Sequence, residues 1–164
     1  MNSNIKDIKI ITSSILVGLS DKDNDIKVAL HDILEDNVFY LLDSLDKEYC
    51  INIEIIENIL ILNVLSPDYN RALKKISINL KSIGKILKEY IILCNSYYDA
   101  IKSAPVQKVE ALDMGRRSLH DDASNELIMK LKQFAHMDFS TARRFTTLLS
   151  IIYRKSMVGE NILT

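Results

Sequence analysis

The apolar residues change their period once, near residue 80, and that change restricts the chain to folds holding both a sheet and long helices. In CINIEII, Ile51, Ile53 and Ile55 alternate with Asn52, Glu54 and Ile56. In ILILNVL, Ile59, Ile61, Asn63 and Leu65 share one face, and Leu60, Leu62 and Val64 share the other. A period of two belongs to strands. Glu57-Asn58 is a tight connection, so residues 50–65 read as a hairpin. Ser66-Pro67-Asp68 signals a turn, and Ile76, Ile78 and Leu80 alternate with Ser77 and Asn79 in one more strand. Beyond it, Ile83, Leu87, Tyr90, Cys94, Tyr97 and Ile101 step by 4, 3, 4, 3 and 4, the stripe of a long helix. Ile86, Ile91 and Tyr98 widen that stripe, so burial on more than one side is expected, with Ser82 as N-cap.

The flanking segments fit around this switch. Residues 5–11 (IKDIKII) are apolar and β-branched and read as a first strand. Ser20-Asp21 offers a cap for a helix over 22–36, where Ile26, Leu30, Ile33 and Leu34 oppose Asp25, Lys27, Asp32 and Glu35. Val38–Leu42 is another short β-like run. Pro105 ends the long helix and suits the first turn of the next. Val109, Leu112, Leu119, Leu127, Ile128 and Leu131 carry a helical pattern through 106–134, with a break expected near 119–124. Ser140 opens a last helix with Ala142, Phe145, Leu148, Leu149 and Ile152 inward. The expected class is α+β: an N-terminal antiparallel β-meander with one early helix, packed against three or four C-terminal helices. At 164 residues this is a single α+β domain over 1–155, with a frayed tail over 156–164.

Composition narrows function mainly by exclusion. Only 4 Gly and 2 Pro among 164 residues exclude collagen-like and low-complexity chains. Two cysteines, Cys50 and Cys94, make neither a zinc ribbon nor a disulfide framework, and without a nearby His or a CxxC spacing they support no nucleophilic role. No GxGxxG or GxxxxGK[ST] occurs, so standard nucleotide loops are absent. The most apolar N-terminal run, Ile10 to Leu19, is interrupted by Thr12, Ser13 and Ser14 and preceded by Asp7; no targeting or membrane segment is convincing. A cytoplasmic protein with reduced thiols is expected.

The net charge of -1 argues against a generic nucleic-acid coat but hides a dipolar chain. Residues 1–68 hold 5 Lys and no Arg against 9 Asp and 4 Glu, a charge of -8; residues 69–164 carry +7. Arginine is scarce, 6 against 15 Lys, yet four of the six form two pairs, Arg116-Arg117 and Arg143-Arg144. Guanidinium binds carboxylate or phosphate bidentately, which ammonium cannot do. On a helix, Asp113, Arg116, Arg117 and His120 share one side. The bland account of that side is a salt-bridged exposed face; the functional one is an anion site in which His120 adds a donor or a proton. Gly115 costs about 1 kcal/mol against Ala inside a helix and calls for close packing of another backbone or of a ligand. Arg143 and Arg144 in a first turn oppose the helix dipole, so Asp138, the acidic N-terminal half or an external phosphate must answer them. Tyr90, Tyr97 and Tyr98 have the chemistry to stack bases, but on a helical stripe they read as core. Two HD dipeptides, His31-Asp32 and His120-Asp121, lack the further ligands a metal phosphohydrolase needs, the third histidine being His136.

The stretches CNSYYDAI at Cys94 to Ile101, EALDMGRRSLH at Glu110 to His120 and TARR at Thr141 to Arg144 resemble an alphaproteobacterial family of unknown function, uncharacterised protein family two-six-two. Its members read ICxSYYxAI, IEAIDMGRRxLH and DxDTARRLFTL. A weaker likeness covers VALHDILEDNVF, Val28 to Phe39. Ser82, Gly84, Asn24 and Ile26 depart from the family's tendencies. The resemblance brings no activity, substrate or cofactor, and no cofactor or metal is expected.

Three functional readings follow. The leading one is a non-enzymatic binding or regulatory protein presenting Arg116, Arg117, His120, Arg143 and Arg144, supported by Asp113 and Gly115, to an anionic small molecule, a phosphate group or an acidic partner protein. The second is a phosphoester hydrolase using His120 with Asp113 or Asp121. The third is a structural protein or homodimer whose arginines only form internal salt bridges.

Overall fold

The computed structural model describes residues 3–11 and 24–160, the last five of these as backbone only. The elements run β1 (Ile5–Ile11), α1 (Asn24–Glu35), β2 (Phe39–Leu41), β3 (Tyr49–Ile56), β4 (Ile59–Leu65), β5 (Ala72–Asn79), α2 (Lys81–Ser103), α3 (Val106–Leu131), β6 (Ala135–Met137) and α4 (Phe139–Glu160). The class is α+β, with one early helix and three later ones. The cap expected at Ser20-Asp21 lies outside the described residues, as do residues 161–164 of the expected tail; α4 itself continues to Glu160.

β3, β4 and β5 form the antiparallel part of a four-stranded sheet ordered β1-β3-β4-β5. The hairpin turns at Glu57, whose φ of 55° is the left-handed conformation such a two-residue turn demands. β1 departs from the meander: it lies parallel to β3, which makes the sheet mixed. Residues 12–48 between them are long enough for the crossover that a parallel pair requires. β2 leaves this sheet altogether and pairs antiparallel with β6, a strand the periodicity did not reveal.

One face of the sheet is apolar: Ile51, Ile53, Leu60, Leu62, Val64, Ile76 and Ile78 are buried in one core cluster with Ile26, Ile33, Ile83, Leu87, Leu127, Leu148 and Leu149 of the helices. Asn37, just after α1, stitches this core. Its side chain accepts from Ile5 N at 2.8 Å and donates to the carbonyls of Ile5 at 3.2 Å and Ile33 at 2.8 Å.

The helices differ from expectation in instructive ways. Ser82 does not cap α2. The N-cap position is Leu80, without a side-chain cap bond; Asn79 just before it accepts from Lys81 N at 2.8 Å through Oδ1, while the Ser82 hydroxyl is buried without a partner among the described residues. The break near 119–124 is absent and α3 runs unbroken. Ser124 gives its hydroxyl to His120 O at 2.8 Å, the bond to the preceding turn that a helix tolerates. Asp138, not Ser140, caps α4, accepting from Thr141 N at 2.9 Å. The α2 stripe buries Ile83, Leu87 and Ile91 but leaves Ile101 exposed. Along α3 the buried residues are His120, Ala123, Ser124, Leu127 and Leu131, all in its second half.

Candidate functional site

α3 and α4 bring the two arginine pairs to one place. Arg116, Arg117 and His120 from α3 and Arg143 and Arg144 from α4 line a single open cleft of about 560 Å³, completed by Tyr90, Ser140 and Thr147. The five residues singled out for an anion face therefore converge. Among the described residues no aliphatic side chain lines the cleft.

Each guanidinium has a carboxylate nearby. Arg116 Nη2 is 2.6 Å from Asp113 Oδ1, and Arg117 Nε is 3.2 Å from Asp113 Oδ2. Arg143 Nε lies 3.4 Å from Asp121 Oδ1, across the α3–α4 junction. Arg144 donates to Asp36 O at 2.9 Å and to Asp36 Oδ2 at 3.5 Å. So the first-turn arginines of α4 are answered by Asp121 and by Asp36 of the acidic half, while Asp138 is occupied with its cap. Val38 N donates to Thr141 Oγ1 at 2.8 Å, which fixes the start of α4 beside Asp36. Four guanidiniums against three carboxylates leave one positive charge in excess.

The pairs are not equally closed. Arg117 and Arg143 are 69% and 52% exposed, and their carboxylates approach the Nε side. Their terminal nitrogens donate no hydrogen bond to any described residue. Arg116 is sunk deeper, its guanidinium 4.4 Å above the Tyr97 ring. Burial alone would lower its pKa, but the Asp113 carboxylate more than reverses this, and the group stays charged. Its Nε and His120 Nδ1 are both buried without a hydrogen-bond partner among the described residues.

His120 is 7% exposed. Its Nε2 lies 3.0 Å from Thr147 Oγ1, and the Thr147 hydroxyl donates to Arg143 O at 3.2 Å. The hydroxyl oxygen is then free to accept from Nε2–H. Burial lowers the His120 pKa below its usual value, and the Arg143 charge lowers it further. The Tyr90 ring meets it edge to face with centroids 5.3 Å apart. Burial and the neighbouring Cys94 push the Tyr90 phenol up to about 12, so it remains protonated at the cleft wall.

Gly115 does pack closely, though against a side chain rather than a backbone: a Cβ there would lie 3.2 Å from Leu93 Cδ1. The two HD dipeptides are not assembled. His31 is exposed and paired with Glu35 at 3.6 Å, and the cleft contains His120 but neither His31 nor His136. Among the described residues no group of three or more His, Cys, Asp or Glu side chains is placed to hold a metal ion. Tyr97 and Tyr98 pack edge to face, and Tyr98 is 58% exposed rather than core. No described helix is long and apolar enough to cross a membrane.

The model of the Uncharacterised protein family (UPF0262) matches residues 2–155. The chain belongs to that family. Among similar UPF0262 proteins, one from Caulobacter vibrioides is 35% identical over 152 residues, covering 93% of this chain and 94% of the relative. One from Azorhizobium caulinodans is 34% identical over 137 residues, covering 83% and 85%. One from Rhizobium meliloti is 34% identical over 133 residues, covering 81% and 84%. No solved structure matches the chain. The UPF0262 family is uncharacterised, so its membership assigns no activity.

Sequence reasoning missed Tyr90, Ser140 and Thr147 as parts of this UPF0262 cleft, and Asp36 as the partner of Arg144. Asp36 lies within VALHDILEDNVF, and Tyr90 lies on the α2 stripe, but neither position signals a cleft. Thr147 has no local signal: its place follows from which turn of α4 faces His120.

Proposed function

We propose that this protein is a non-enzymatic binding or regulatory protein that holds an anion in the cleft between α3 and α4. The observation that carries the reading is that both arginine pairs and His120 line one cavity of about 560 Å³. Two guanidiniums keep their terminal nitrogens unbonded, and the four guanidiniums share only three carboxylates. Pockets of about 300–1,000 Å³ are the usual size for small organic ligands. Cys50 and Cys94 both being free thiols supports a cytoplasmic setting.

Titration calorimetry of inorganic phosphate into the intact protein tests the reading. Saturable binding that is lost when Arg116 and Arg143 are both replaced by Lys supports it; no detectable heat up to tens of millimolar from phosphate or from a phosphate monoester or organic carboxylate removes it.

One observation favours a second reading. All four guanidiniums already have a carboxylate, as in a scaffold whose arginines only stitch α4 to α3 and to the end of α1. Exposed pairs of this kind contribute about 0–1 kcal/mol. A double-mutant cycle between Arg143 and Asp121 separates the two: coupling near zero leaves stitching without an energetic basis.

A further inference from the structure

We infer that the ligand of this cleft is the phosphate monoester of a small polyhydroxy compound, such as a sugar phosphate. The inference rests on the anion-binding reading above and goes further by naming the chemical class.

The head group follows from the forks. The terminal nitrogens of Arg117 on α3 and Arg143 on α4 are unbonded and belong to opposite helices of the same cleft. One guanidinium fork saturates the two oxygens of a planar carboxylate. A phosphate monoester presents three terminal oxygens in a tetrahedral array and carries a charge near -2 at neutral pH, so it can accept from two forks at once. The rest of the ligand follows from the size and chemistry of the walls. The cavity of about 560 Å³ is in the range of pockets for small organic ligands, so the head group need not fill it alone. Its uncharged lining includes the hydroxyl-bearing residues Ser140, Thr147 and Tyr90 and, among the described residues, no aliphatic side chain, which suits a hydroxylated ligand and not an acyl chain.

The experiment is titration calorimetry of the intact protein at pH 7.5 with three probes: glucose 6-phosphate, inorganic phosphate and gluconate. Glucose 6-phosphate is expected to bind at least tenfold more tightly than either of the others. Replacing Arg117 and Arg143 together by Lys is expected to weaken it at least tenfold while leaving the melting temperature within about two degrees. Gluconate binding as tightly as glucose 6-phosphate overturns the phosphate head group. Inorganic phosphate binding as tightly overturns the ester and leaves a free-phosphate site. Affinity unchanged in the Lys variant overturns the forks as the receptor. If none of the three binds, the anion-binding reading fails along with this one.

Discussion

His120 shows how one side chain acquires its behaviour from its surroundings. Burial and then the Arg143 charge lower its pKa in the folded protein below the ordinary value of about 6.5. The unfolded chain therefore binds the proton first as pH falls. The stability this neutral imidazole contributes is fully present above about pH 6.5 and is lost as pH falls from there toward the folded value. Thermal melts between pH 7.5 and 5 are expected to show a loss that is reduced in His120→Gln; an identical slope in both proteins refutes the assignment. Asn37 is the second such residue. Replacing it with Ala leaves the polar groups of Ile5 and the Ile33 carbonyl without their buried partner, and the expected cost is about 3 kcal/mol in chemical denaturation. The scarcity and pairing of arginine make the four cleft arginines legible from the amino-acid order alone. The carboxylates that answer Arg143 and Arg144 are not legible in the same way, because Asp36 is 108 residues from Arg144 and no spacing rule links them.

At the scale of elements, long periodic segments were readable and short or locally ambiguous ones were not. The β3–β4 hairpin and α2 carry many repeats of their period, so single exceptions do not obscure them. β2 and β6 are three residues each, and nothing local tells them from loop. The continuity of α3 was hidden because Asp121, Asp122 and Ser124 look like a turn. Ser124 is instead satisfied by the helix itself and by Thr146 at 2.9 Å, and Asp121 faces Arg143. Two helical glycines give a contrast that tests this packing. At Gly84 a Cβ would sit 2.9 Å from Tyr153 Oη and 3.2–3.3 Å from its ring carbons. At Gly115 its nearest neighbour is Leu93 Cδ1, a single methyl on a half-buried side chain that can rotate away. Gly84→Ala is therefore expected to destabilise by about 1 kcal/mol as the ring is displaced, since overpacking costs about 1–3 kcal/mol less the helix propensity gained. Gly115→Ala is expected to stabilise by up to about 1 kcal/mol through helix propensity alone. Urea unfolding of both variants decides, and the same sign for the two contradicts the contact geometry.

For the whole molecule, the anchoring of the two cleft walls is unequal. Arg143 and Arg144 stand on a helix whose start is held by Val38 and Asp36 and whose inner face includes fully buried Ala142 and Leu148. Arg116 and Arg117 stand on the half of α3 that contains no buried residue and rests on the distal turns of α2. Amide exchange is expected to be faster over residues 106–117 than over 141–152, because local opening is easiest where little apolar surface is covered. The cleft thus has one fixed jaw and one carried on a cantilever. A guest that bridges them would splint the overhanging helix pair, and its arrival would register as stiffening far from the point of contact, at the free tip around Pro105.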